Sequence, residues 1–175
     1  MLTKNLELNI ENYLIDNFDK IKKSSKEIKK GDVFIALQGK NYHGNDFLSK
    51  ALTNGAKYII TDKEIEVKTL SNILQVNDIL IHLLKIANKK RNKFNGKIIA
   101  ITGSIGKTTI KEYLKHLLST QGKISTAIKS YNNYLGVLIS LINIDLYSNF
   151  AIFEVGTNNF NEIKKLTSII MPHQV

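Results

Sequence analysis

Residues 97 to 109 read Lys-Ile-Ile-Ala-Ile-Thr-Gly-Ser-Ile-Gly-Lys-Thr-Thr. The first six form a nearly continuous apolar run, as expected for a strand that is covered on both faces of a sheet. The glycines then predict a tight turn, and the pattern after them predicts a helix from Lys107 to about Ser119. A strand that leads directly into a helix is the repeating unit of a parallel α/β sheet.

The same alternation continues to the end of the chain. Strands are predicted at Ile124–Ile128 and Phe150–Val155, and helices at Leu135–Ile144 and Asn161–Ile170. This order indicates a doubly wound parallel sheet, whose ligands gather at the carboxyl ends of the strands. The helix that starts at Lys107 is expected to bury Ile110, Leu114, Leu117 and Leu118.

The section before residue 90 predicts a small mixed α/β domain. It contains predicted strands at Val33–Leu37 and Tyr58–Thr61, and a helix capped by Asn45 that Gly55 ends. A further helix is predicted from Asp78 to about Ala87. The polar, basic stretch that follows places a domain boundary near residue 90, which gives domains 1–90 and 91–175.

Composition narrows the function classes. The chain has 175 residues, no cysteine and a formal net charge of +10, with a pI near 9.6. The absence of cysteine excludes disulfides and thiol chemistry and fits a reducing cytoplasm. No apolar run approaches the roughly 20 residues that a membrane span needs. Lysine supplies nearly all of the positive charge, and Asn and Ile are also abundant. The codons of an AT-rich genome favour these three residues, so the charge does not need a nucleic-acid partner to explain it, and none is predicted.

The turn at residues 102 to 109 has the composition of a phosphate loop. Glycines let successive N–H groups face phosphate oxygens, a lysine supplies charge for the β- and γ-phosphates, and a threonine hydroxyl serves magnesium. The alternative is a tight strand–helix turn without a ligand, but that would not require the Lys-Thr pair. ATP and Mg²⁺ are therefore the predicted ligands, and the predicted ATP-binding residues are Thr102, Gly103, Ser104, Gly106, Lys107, Thr108 and Thr109.

Other candidates lie where neighbouring strands end. Glu154 ends an interior strand, where a carboxylate requires a partner or a metal, so Glu154 and Thr108 are the predicted magnesium ligands and Lys107 and Glu154 the predicted catalytic residues. An edge glutamate that faces solvent is the alternative. Asn132, Asn133 and Asn158 lie in turns on the same rim and are predicted to contact substrate, although an Asn-Asn turn is also a common helix cap.

The motifs together resemble the Mur ligase family. The resemblance rests on Ile101–Glu112, Asn132-Asn-Tyr-Leu-Gly-Val137, Glu154-Val-Gly-Thr-Asn158 and, in the first section, Ile28-Lys-Lys-Gly-Asp-Val-Phe-Ile-Ala-Leu-Gln-Gly39. It is strongest to the branch that joins D-Ala-D-Ala to a UDP-N-acetylmuramoyl-tripeptide. The resemblance implies an ATP-dependent amide ligase of peptidoglycan precursor synthesis that works in the cytoplasm through an acyl phosphate.

The resemblance also implies roles for the first section and limits for the chain. Ser25 falls in the loop that would bind the UDP-sugar, where this chain has Ser24-Ser25-Lys26 and relatives have Asp-Ser-Arg. Leu138 and Asn159 replace a usual proline and a frequent histidine. The family needs further segments for adenine and for the incoming amine, so we expect an incomplete phosphate-loop domain, little ligase activity from this chain alone, and association through an exposed sheet edge.

Three alternatives stay open at this point. The chain could be a related ligase that adds the third peptide residue, a folylpolyglutamate-type synthase, or a binding remnant for nucleotide or UDP-sugar without ligase activity. Each shares the phosphate loop, so the loop does not separate them.

Overall fold

The computed structural model describes residues 2–65, 71–127, 131–156 and 161–175. The chain divides into two compact units, Met1–Lys85 and Ile86–Val175. The division falls inside helix α3 (Ile79–Lys93). Within the described ranges no helix combines the length and the apolar character that a membrane crossing requires.

The first unit is built on a four-stranded parallel sheet in the order β1-β2-β3-β4. Val33 pairs with Tyr58, and Ile59 with Ile73, so each strand begins at the same edge. The elements in chain order are α1 (Leu2–Asp16), β1 (Ile21–Lys22), a 3-10 helix (Ser25–Glu27), β2 (Val33–Ala36), a second 3-10 helix (Gly44–Phe47), α2 (Leu48–Thr53), β3 (Tyr58–Thr61), β4 (Ile73–Gln75) and the start of α3. A core cluster lies among them and comprises Ile28, Phe34, Ala36, Ala51, Ala56, Ile59 and Ile73.

Two details of this unit differ from the sequence predictions. Asn45 does not cap the helix that Gly55 ends, because α2 begins after Phe47 and has no side-chain cap. The side-chain cap in this segment is His43, whose Nδ1 accepts from the Asn45 N–H at 3.0 Å at the start of the second 3-10 helix. Helix α3 continues past Ala87 to Lys93. Lysine and arginine are good helix formers, and basic side chains in a last turn interact favourably with the helix dipole, so the polar composition did not end the helix. Gly55 does end α2 with φ of 95°.

The second unit is built on a three-stranded parallel sheet in the order β5-β7-β6. Its elements are β5 (Lys97–Ile101), α4 (Lys107–Leu118), β6 (Ile124–Thr126), α5 (Tyr134–Ile142), β7 (Phe150–Glu154) and α6 (Glu162–Ile170). Strand β7 lies in the centre, with Ile101 opposite Glu154. On the other side of β5, the Ala100 N–H donates to Gln174 O at 2.9 Å, so the last residues pair with that edge. The predicted α/β class with parallel sheets is confirmed.

The buried face of α4 corrects one prediction. Ile110 and Leu117 were expected to face inward, but they are 48% and 62% exposed. The inward positions are half-buried Leu114 and Leu118, as predicted, together with buried Lys111, which was not predicted. The three inward residues follow one another at helical spacing, so the prediction was right at two of its four positions and missed the lysine. The chosen face is the one that brings a lysine to a buried carboxylate, as described below.

Asp145 shows how a buried carboxylate is held in this unit. Burial on its own would raise the pKa of Asp145, but hydrogen bonds from Lys123 and from the Tyr147 N–H, with the charges of Lys123 and Lys90, outweigh it and lower that pKa. The Lys123 Nζ to Asp145 Oδ2 distance is 2.5 Å. A depressed folded-state pKa stabilises the fold above the unfolded pKa, and this stabilisation is lost as pH falls through the folded value.

Lys123→Met is therefore expected to lower the free energy of unfolding at pH 7 by about 1 kcal/mol. The difference from the parent chain should shrink as the pH falls below about 4 and the carboxyl becomes protonated in both proteins. Urea unfolding at several pH values measures this. Lys97→Met, at an exposed strand end, is the matched control and should leave the pH profile unchanged. A constant difference across that range would contradict the prediction.

Candidate functional site

The loop between β5 and α4 has a backbone that only glycine adopts easily. Gly103 has φ of 140° and Gly106 has φ of 82°, and both lie in the region that L side chains disfavour. A Cβ on Gly106 would meet nothing within 4 Å. The glycine is therefore required by the backbone conformation and not by lack of space. Ile105 between them is 92% exposed, so the loop stands open to solvent.

Lys107 begins the 12-residue helix α4 at the end of this loop. Its Nζ donates to Gly103 O at 2.5 Å, so the ammonium folds back over the loop backbone. The helix N-terminus places further N–H groups and a partial positive charge at the same point. Ser104 and Thr109 are exposed. Thr102 Oγ1 is buried and has no hydrogen-bond partner among the described residues.

Glu154 lies at the carboxyl end of β7 and is 1% exposed. Its Oε2 accepts a hydrogen bond from Thr108 Oγ1 at 3.0 Å, which joins the end of β7 to the first turn of α4. Its Oε1 lies 2.9 Å from Lys111 Nζ, and the Lys111 side chain is 5% exposed. The predicted pair of Thr108 and Glu154 is thus brought together. Lys111 was not predicted, although it lies four residues after Lys107 on the same helical face.

The turn before α5 packs against the end of β7. The Gly156 N–H donates to Asn132 O at 2.8 Å. A Cβ on Gly156 would lie 2.8 Å from Asn132 Cγ, so a larger residue there would displace the Asn132 side chain. Asn133 is the N-cap of α5, and its Oδ1 accepts from the Gly136 N–H at 2.8 Å. The cap interpretation of Asn133 is therefore correct, and its amide group also lies on the rim that carries Glu154.

The remaining predicted residues are placed elsewhere. Ser25 lies in the first unit, where it begins a 3-10 helix and is buried. Its backbone oxygen accepts from Asn54 Nδ2 at 2.9 Å. Asn158 lies outside the described residues. The loop residues 102–109, Asn132, Asn133 and Glu154 all belong to the second unit.

A second group of metal-ligand types occurs in the first unit. Ligand atoms of Glu7, Glu11 and His82 lie within 4.8 Å of one another. Lys85 Nζ lies 3.0 Å from Glu7 Oε1 and 2.8 Å from Glu11 Oε1. Hydrogen bonds to these carboxylates raise the pKa of Lys85. Its ammonium therefore already places a positive charge beside both carboxylates.

Comparison with known proteins decides the family. Residues 18–102 match the Mur ligase family catalytic domain, and residues 101–175 match the Mur ligase middle domain. The chain belongs to the Mur ligase family. The membership that the sequence motifs predicted is thereby confirmed.

Individual members of the Mur ligase family are also similar to this chain in sequence and in structure. The UDP-N-acetylmuramoyl-tripeptide–D-alanyl-D-alanine ligase of Rickettsia prowazekii is 40% identical over 171 residues, which are 98% of this chain and 38% of the relative. The crystal structure of MurF ligase from Thermotoga maritima in complex with ADP is 31% identical with a TM-score of 0.73, over 91% of this chain and 36% of that one. A MurF structure from Acinetobacter baumannii has a TM-score of 0.75 at 31% identity, over 87% of this chain and 34% of that one. The chain thus spans little more than a third of the length of these relatives.

Proposed function

We propose that this chain supplies the ATP- and magnesium-binding part of an amide ligase of peptidoglycan precursor synthesis. The ligase would transfer the γ-phosphoryl group of ATP to the terminal carboxylate of UDP-N-acetylmuramoyl-tripeptide, giving an acyl phosphate and ADP. The amine of D-Ala-D-Ala would then attack the acyl carbon, and phosphate would leave. The observation that carries the proposal is the Thr108–Glu154 hydrogen bond beside an open glycine loop that begins a helix.

The proposed ATP site uses the loop backbone and one ammonium. The N–H groups of residues 102–109, with the N-terminus of α4, would cradle the phosphates. Lys107 Nζ lies on Gly103 O and would exchange this neutral acceptor for a charged phosphate oxygen, which makes a stronger hydrogen bond. Ser104 and Thr109 are exposed beside the loop and offer hydroxyl groups. The ADP complex of the Thermotoga relative supports a nucleotide at this family's site.

The proposed magnesium ligands are Thr108 Oγ1 and Glu154 Oε2. These oxygens are 3.0 Å apart, and a hydroxyl and a carboxylate are the hard oxygen donors that Mg²⁺ takes beside a triphosphate. The ion, when bound, would neutralise charge on the transferring phosphoryl group. The residues of this chain would hold it at the carboxyl end of β7, where Thr108 and Lys111 contact the Glu154 carboxylate.

The substrate assignments rest on position. Asn132 and Asn133 precede α5 on the rim that carries Glu154, and we assign them, with Asn158, to the muramoyl-peptide. Domain 1–90 with Ser25 is assigned to the UDP-sugar.

Association through a sheet edge stays a prediction. Product analysis with D-Ala-D-Ala against a diamino acid would separate this ligase from the one that adds the third residue.

Calorimetry with ATP and magnesium tests the proposed function. The parent chain should bind the nucleotide, and Lys107→Met should weaken binding by about tenfold or more, because it removes a charge-assisted hydrogen bond worth about 1.5–3 kcal/mol. Lys115→Met is the matched control, since Lys115 lies in the last turn of α4 and is 51% exposed. Absent binding, or equal binding by all three proteins, would end the proposal.

A further inference from the structure

Lys111 is a buried cation for which the proposed reaction has no role. Its side chain is 5% exposed, and its Nζ lies 2.9 Å from Glu154 Oε1. Among the described residues, the other carboxylate in range is that of Glu112, which is 57% exposed with its Oε1 3.6 Å away. A buried ammonium is tolerated when a charged partner compensates it. Glu154 is the buried partner here.

The two oxygens of Glu154 therefore have different surroundings. Oε2 accepts from Thr108, on the side of the glycine loop, whereas Oε1 faces Lys111. The carboxylate cannot present both oxygens to one cation while Lys111 holds Oε1. Its negative charge is also already balanced. A divalent cation at Thr108 would meet an ion pair without net charge, whose ammonium repels it at a place where burial weakens screening.

A triphosphate changes this balance. ATP brings several negative charges to the loop beside Thr108, and these offset the ammonium of Lys111 as well as attracting the metal. A cation that arrives with the nucleotide is then favoured, and a cation that arrives alone is not.

We propose that Lys111 is an internal counter-ion that makes the metal site depend on nucleotide. It keeps Glu154 oriented while it prevents a bare divalent cation from occupying the Thr108–Glu154 position. The proposal rests on the proposed function, since it takes Glu154 as the magnesium ligand. It makes Lys111 a positioning residue that acts through Glu154 and not by touching substrate.

The test measures binding of Mn²⁺ to the nucleotide-free chain by electron paramagnetic resonance. The parent chain should bind Mn²⁺ weakly, and Lys111→Met should bind it at least about tenfold more tightly, because the carboxylate is released from its counter-ion. Lys111→Arg keeps the charge and should behave like the parent. The double variant Lys111→Met/Glu154→Gln should lose the gain. Unchanged Mn²⁺ affinity in Lys111→Met, or a gain that survives in the double variant, would overturn the proposal.

A stability measurement covers the case in which Lys111→Met folds poorly. Removing one member of a buried pair destabilises a protein, so this variant should have a lower Tm. Mn²⁺ should raise the Tm of Lys111→Met, or induce its folding, and should leave the Tm of the parent nearly unchanged. No response of the variant to Mn²⁺ counts against the counter-ion. Failure of the parent to bind ATP with magnesium would instead remove the proposed function, whatever the nucleotide-free Mn²⁺ result.

Discussion

Glu154→Gln is expected to lower the free energy of unfolding by about 3–5 kcal/mol, the usual cost of leaving one member of a buried ion pair without its partner. The amide keeps the shape of the side chain, so the loss reports the charge and not a cavity. Lys111 is buried beside it and would face a neutral group. Urea denaturation followed by circular dichroism measures the loss, and hydrogen exchange of the β7 amides locates it in the second unit.

Two further variants test whether the ion pair causes this loss of stability. Lys111→Met/Glu154→Gln removes both charges and should recover most of the lost stability, because neither partner remains uncompensated. Glu112→Gln is the matched control at an exposed carboxylate and should cost less than about 0.5 kcal/mol. A double variant as unstable as Glu154→Gln would show that the ion pair is not the reason for the loss.

Gly44→Ala is expected to destabilise the first unit by about 3 kcal/mol, at the upper end of the usual cost of overpacking. A Cβ at this position would lie 2.4 Å from Ala36 Cα and 2.7 Å from Leu37 N. Those atoms belong to the end of β2 and the residue after it, so the clash cannot be relieved by a side-chain rotation. The backbone of the loop would have to move, and the hydrogen bond from the Gly44 N–H to Leu37 O at 2.8 Å would be strained.

Thermal unfolding and hydrogen exchange at β2 and β3 would measure this effect. Lys40→Ala is the control, since Lys40 lies in the same loop and is exposed. ATP binding should be retained if the second unit folds without help from the first. A Gly44→Ala chain with unchanged exchange at β2 would show that the loop accommodates the methyl group.

Hydrophobic periodicity and turn residues predicted most of the strands and helices of the second unit. The strand at residues 97–101, the helix from Lys107 and the strand ending at Glu154 follow from an apolar run, a glycine turn and alternation, all of which are local signals. The meeting of Thr108 with Glu154 also followed, because the carboxyl ends of neighbouring parallel strands lie at one edge of a sheet. The family could be predicted because its motifs occur at these turns.

Local signals predicted only part of the buried face of α4. Leu114 and Leu118 lie inward as expected, whereas Ile110 and Leu117 are exposed and Lys111 takes an inward position. Lys111 pairs with Glu154, a long-range partner that the sequence alone does not align with it. The requirement that a buried carboxylate be compensated was the available signal, since a lysine one turn after Lys107 satisfies it. Helix α1 was not predicted, although Ile10 and Leu14 are both buried and lie four residues apart, which is helical spacing.

The cap at Asn133 restricts what can be recognised beside α5. Its amide oxygen is turned toward the helix and accepts from the Gly136 N–H, which fixes the orientation of the amide group. A ligand group that docks on Nδ2 must offer lone pairs, as a carboxylate, a carbonyl or a sugar hydroxyl does. The cap that starts the helix thus also fixes the polarity of this part of the rim.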